Sequence, residues 1–157
     1  MEKLNPCLWF DTQAEDAAEF YTEVFPNSKI VEISRYSENM HKPAGEVLTV
    51  AFDLDGQRFV ALNGGPEFTF SEAISFQINC ADQAEVDAYW EKLTDGGEPG
   101  PCGWLKDRFG VSWQVVPTEM TELLQDPDPA RAARATQAML SMGKLDIAAI
   151  RRAADGA

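Results

Sequence analysis

The chain has 157 residues, enough for one compact domain or two small modules sharing a core. Its 26 acidic and 13 basic side chains leave a net charge of −13, which disfavours nucleic-acid backbones and anionic membrane surfaces as partners. No apolar run reaches membrane-spanning length and no secretory pattern opens the chain; three cysteines without CxxC spacing point to a reduced, cytoplasmic setting.

In chain order, residues 5–10 predict a strand. Residues 13–25 predict a helix with Ala17, Phe20, Tyr21, Val24 and Phe25 at helical spacing, Thr12 as its N-cap and Pro26 as its stop. Strands are expected over 29–36, 46–54 and 57–63, the last two joined by an Asp55-Gly56 hairpin. The order then repeats. A strand over 73–80 leads to a helix over 83–94, with Val86, Tyr89, Trp90 and Leu93 on one face and Gly96-Gly97 at its end. Short strands follow near 100–106 and 111–116, and Asp107 and Arg108 predict an ion pair at the turn between them.

Direct comparison supports a duplication. Gln13-Ala14-Glu15 recurs as Gln83-Ala84-Glu85, Ala18 meets Ala88, and Phe20 meets Trp90. Beyond Pro117 three helices are predicted: a short one capped by Thr118, one capped by Asp128 with Pro129 behind it, and a last one capped by Asp146. With few large apolar residues they form an extension. Five basic residues (Arg131, Arg134, Lys144, Arg151, Arg152) stand there against Asp146, so the tail either docks on an acidic surface or presents a solvated basic face.

One histidine excludes chemistry that needs two imidazoles in one chain, and His41 sits in a polar loop with Pro and Gly, where a solvated role is expected. Cys102, between Pro101 and Gly103, is expected to be an exposed thiol without an activating neighbour.

Two segments, LWFDTQAEDAAEFYTEVFPNSKI at 8–30 and INCADQAEVDAYWEKLTDGGEPGPCGWLKDRFGVSWQVVP at 78–117, resemble the PhnB-like branch of the glyoxalase/bleomycin-resistance (vicinal oxygen chelate) superfamily. Members of that branch are often described as 3-demethylubiquinone-9 3-methyltransferase. The resemblance implies an α+β fold. Two βαβββ modules, about 1–66 and 67–117, curl into an open cup around a small-molecule ligand, with residues 118–157 as a helical extension. A homodimer is implied as well.

In metal-dependent members of the superfamily, His and Glu on the first and last strands of each module hold the ion. Here those places carry Pro6 and Cys7, Val60 with Asn63 nearby, Ala73 to Ser75, and Gln114, which are poor ligands for Zn²⁺ or Fe²⁺. No metal and no cofactor are expected. The methyltransferase description lacks sequence support, because no GxGxxG turn or alternating β-α order occurs.

Gln114 shares a strand face with Ser112 and Val116, and Ser75 shares one with Gln77. Cys7, Trp9, Asn63, Ser75, Gln77, Trp104 and Gln114 are the candidate ligand-binding residues. Each also has a purely structural alternative: Asn63 as a turn former before Gly64-Gly65, and Trp9, Trp104 and Trp113 as core packing. The expected function is binding of a partly apolar small molecule. The alternative is an enzyme, either the methyltransferase of the description or a lyase with an atypical metal.

Overall fold

The computed structural model describes residues 3–157, which divide into two units, one ending at Phe70 and one running from Ser71 to Ala157. Each unit holds one four-stranded mixed sheet, so the fold is α+β.

In the first unit, β1 (Cys7–Phe10), α1 (Ala14–Val24), β2 (Lys29–Arg35), β3 (Val47–Leu54) and β4 (Gln57–Asn63) follow one another. The sheet order is β1-β4-β3-β2, with β1 parallel to β4 and the other pairs antiparallel. Asp55 and Gly56 both take positive φ, which suits the twist of a two-residue hairpin. Strand alternation sends Leu8, Phe10, Val50, Phe52, Phe59 and Ala61 to one face, where all are buried. The buried stripe of α1 (Ala14, Ala17, Ala18, Tyr21, Val24) covers that face, and Phe52 stacks on Phe59 at 5.5 Å between ring centroids. Burial of each large side chain there contributes about 1.5–3 kcal/mol.

The second unit repeats the plan. It runs through β5 (Phe76–Cys80), α2 (Gln83–Thr94), β6 (Glu98–Pro99), β7 (Trp104–Lys106) and β8 (Ser112–Pro117), with sheet order β5-β8-β7-β6. Asp82 caps α2 by accepting from the Glu85 amide. Val86 and Leu93 are buried, whereas Tyr89 and Trp90 on the same helix are half-buried.

Three helices complete this unit: α3 (Thr118–Leu124), α4 (Pro129–Leu140) and α5 (Ile147–Ala154). Their Met120, Ala135, Ile150 and Ala154 form a buried cluster with Leu145 and with Val116 of β8. Four of the five basic residues of this region dock at home. Lys144 pairs with Asp87 at 2.9 Å, Arg131 with Asp126 and Asp155, and Arg151 with Glu119, while Arg134 donates to the Ala153 and Ala154 carbonyls closing α5.

Several local expectations are corrected. Thr12 does not cap α1; the helix starts after Gln13 without a cap from its own flank. Thr118 is the first residue of α3, behind Pro117, not its cap. The strand expected over 73–80 begins only at Phe76, because the β8 ladder pairs Phe76 with Trp113 and no partner precedes it. Of the strand expected near 100–106 only its last three residues are extended, as β7, and β6 lies ahead of the segment at 98–99. Between them Cys102 and Gly103 take positive φ and Trp104 N–H donates to the Pro101 carbonyl at 3.0 Å, closing a turn.

Candidate functional site

Each sheet has one face under its helix and one face turned away from it. In the second unit, pairing of Gln77 with Gln114, Trp104 with Gln114, and Lys106 with Ser112 puts these side chains together on the face away from α2. Leu105, Trp113 and Val115 point to the helix side and are buried.

Three of the expected residues form one hydrogen-bonded chain on that outer face. Gln77 Nε2 donates to Gln114 Oε1 at 3.2 Å, and Gln114 Nε2 donates to Ser75 Oγ at 2.8 Å. Ser75 lies just before β5, so the loop entering the strand brings its hydroxyl to the row. The row therefore ends in an amide oxygen on Gln77 and a hydroxyl hydrogen on Ser75, one acceptor and one donor for a polar ligand. Trp104, half-buried, stands beside Gln114 and supplies an apolar wall.

Next to this row the unit has a pocket of about 470 Å³, lined by Pro99, Pro101, Cys102, Trp104, Lys106, Glu72 and Ser112 among others. Lys106 Nζ pairs with Glu72; the pairing raises the Lys106 pKa and lowers that of Glu72. Ser112 is 2% exposed, and its Oγ has no hydrogen-bond partner among the described residues. Sequence reasoning placed Ser112 on the face of Gln114 but missed Lys106 and Glu72. The available signal was the alternation itself, since Lys106 is two residues from Trp104.

In the first unit the outer face carries Cys7, Trp9, Val60, Leu62, Thr49 and Ala51. Trp9 is half-buried; its Nε1 donates to the Gly65 carbonyl at 2.9 Å, and Phe68 meets its ring edge-on at 4.9 Å. Gly64 is required there, because a Cβ would run into the indole. Cys7 is exposed, yet enough protein surrounds the thiol to push its pKa up. Buried Cys80 is pushed up to about 12, by burial first and then by Glu85 and Asp82, so it is an inert thiol.

Asn63 lies elsewhere. Alternation puts it with Phe59 and Ala61 on the helix side, 6% exposed. Its Oδ1 accepts from the Ala14 amide at 2.9 Å, its Nδ2 donates to the Val47 carbonyl at 3.1 Å, and its own carbonyl accepts from Tyr36 Oη at 2.5 Å. Asn63 thus performs for α1 the capping expected of Thr12, and its amide is engaged within the fold. Asp107 is likewise an organiser. Only 3% exposed, it accepts from the Phe109 and Val111 amides and from Trp113 Nε1 at 2.8 Å, while Arg108 reaches Asp95. Trp113, held this way on the helix side, belongs to the core.

The residues at the strand positions used for metal binding in the superfamily do not fit a transition metal. Cys7 faces Val60 across β1 and β4, and Gln114 donates to Ser75 Oγ, so the places assigned by the resemblance offer one thiol, one neutral amide and one hydroxyl. Among the described residues no three His, Cys, Asp or Glu side chains gather as a metal-holding group. No described helix is long and apolar enough to cross a membrane.

Comparison with known proteins adds the following. The model of the family described as 3-demethylubiquinone-9 3-methyltransferase matches residues 2–116. The PhnB protein from Bacillus cereus is 36% identical, with 74% of this chain and 99% of its own covered, at a TM-score of 0.66. The protein PA1353 from Pseudomonas aeruginosa, 18% identical over 74% of this chain and 98% of its own, superposes at a TM-score of 0.62 and speaks to the fold alone. No curated protein matches the chain.

Proposed function

The chain belongs to the 3-demethylubiquinone-9 3-methyltransferase family, the PhnB-like branch of the glyoxalase/bleomycin-resistance superfamily, and from that premise we propose that it binds a small, partly apolar molecule without using a metal. The ligand sits in the cup implied by the superfamily fold and is held by hydrogen bonds and apolar contact. The observation that carries this reading is the Ser75–Gln114–Gln77 row beside Trp104. An amide row of this kind orients a polar edge of the ligand, while the indole takes up apolar surface. Cys7 and Trp9 belong to the same proposal as outer-face residues of the first unit.

In this reading residues 1–117 are the duplicated ligand-binding domain, with modules of about 1–66 and 67–117, and residues 118–157 are a helical extension. The protein works as a cytoplasmic homodimer. The methyltransferase activity named for the family is the competing reading. Among the described residues neither mixed sheet has a glycine-rich turn between a strand and a helix, the seat that Rossmann-like methyltransferases offer S-adenosylmethionine.

The deciding experiment is a small-molecule thermal-shift screen on the wild type and on Gln114→Leu. Wild-type hits should lose their shift in the variant. Hits that survive unchanged would remove Gln114 from the site and refute the reading. Tryptophan-fluorescence titration with S-adenosylmethionine serves as the counter-test, since saturable micromolar binding would favour the methyltransferase.

A further inference from the structure

The pocket beside the amide row carries the cation Lys106, and the chain's own Glu72 carboxylate is paired with it. Lys106 points from β7 onto the outer face, directly across the ladder from Ser112. Glu72, in the loop ahead of β5, pairs with Lys106 Nζ. The same loop is pinned a second time where Ser75 accepts from Gln114. Ser112, paired with Lys106 in the ladder, keeps its hydroxyl almost fully buried and without a hydrogen-bond partner among the described residues. A native protein rarely leaves such a group unmatched, because an unsatisfied buried polar atom carries a desolvation cost.

Pro99, Pro101 and Trp104 form the apolar wall of the same pocket. A volume of about 470 Å³ suits a ligand of drug-like or smaller size. Glu72 and Lys106 are both well exposed, at 60% and 39% of their side chains, and a pair of that kind is weak. An incoming carboxylate can therefore replace Glu72 at little cost. The ligand's charge adds to those of Glu72 and of Glu98, which faces Lys106 across β6 and β7, so the exchange requires Glu72 to swing out into solvent.

We propose that this pocket takes an amphipathic carboxylate whose acid group displaces Glu72 from Lys106 and accepts from Ser112, with its apolar body against Trp104, Pro99 and Pro101. Glu72 then acts as an internal placeholder that sets the affinity threshold. This inference rests on the small-molecule reading above and narrows its ligand to one chemical class.

The test compares three probes of similar length, 4-phenylbutyrate, its near-isosteric amide 4-phenylbutanamide, and the cationic 4-phenylbutylamine, by NMR titration of the full chain. The carboxylate should bind roughly tenfold tighter than the amide or the amine. Glu72→Gln should tighten the carboxylate about two- to five-fold by removing its competitor, which a merely structural Glu72 would not do. Lys106→Met should abolish the carboxylate preference, and Ser112→Ala should weaken the carboxylate. Equal binding of carboxylate and amide, tighter binding of the amine, or no gain in Glu72→Gln would each overturn the proposal. Absence of binding by all three probes overturns it as well. The broader reading fails separately, if Gln114→Leu leaves the screening hits unchanged or S-adenosylmethionine binds saturably.

Discussion

Asn63→Ala tests the account of the first unit most directly. The side chain makes two bonds that alanine cannot replace, one to the Ala14 amide and one to the Val47 carbonyl. Loss of a helix N-cap costs about 1 kcal/mol. Leaving the Val47 carbonyl without its donor costs about another 1–2 kcal/mol, toward the lower end because Val47 is half-buried and water can reach it. The expected destabilisation is thus about 2–3 kcal/mol, or about 4–12 °C in Tm for a chain of this size. Denaturation followed by circular dichroism measures it. Thr12→Ala is the control: Thr12 is exposed and caps nothing, so its loss should stay within about 0.5 kcal/mol. If Asn63→Ala proved as mild as Thr12→Ala, or Thr12→Ala as severe as Asn63→Ala, the long-range cap would be refuted.

Three further outcomes are expected. Gln83 donates to the Leu145 carbonyl at 2.9 Å and accepts from the Ile147 amide at 2.8 Å, so Gln83→Ala should free the start of α5 and speed tryptic cleavage after Lys144; unchanged cleavage would refute this clamp. Several carboxyls are held below their usual range: Asp53 by Arg58, Asp87 by Gln83 and Lys144, and Asp126 by the Asp128 amide and Arg131. A depressed folded-state pKa means that the unfolded chain binds protons first. Stability from these groups is therefore complete above the unfolded carboxylate value of about 4 and is lost as pH falls below it. Asp126→Asn should flatten the acid limb of a Tm-versus-pH curve, and an unaltered limb would contradict the assignment. Iodoacetamide at neutral pH should label Cys7 and Cys102 but not Cys80 in the native protein, read by intact mass; a third label without denaturant would refute the burial of Cys80.

The sequence by itself determined the features whose causes lie within about ten residues of chain. The Asp55-Gly56 hairpin, the Asp128 and Asp146 caps and the apolar stripe of α1 follow from turn chemistry and 3.6-residue spacing, and all stand in the structure. The duplicated element order was legible for the same reason, each module spelling out its own strands and helix. The shared face of Ser112 and Gln114 also followed, because alternation is a property of a single strand.

Only tertiary structure decided which polar groups meet across strands. Asn63 looks like a turn residue before two glycines, and its true partner Ala14 is 49 residues away. Alternation with Phe59 and Ala61 hinted at the buried side, but the helix end waiting there appears only when β1 pairs with β4. Gln77 and Gln114 are 37 positions apart and meet through the parallel register of β5 and β8. Glu72 and Lys106 read as two ordinary exposed charges until the loop ahead of β5 crosses the outer face. Side-chain type and local period are written in the chain, but register and loop path are set by packing, and that packing assembled the amide row and the pocket beside it.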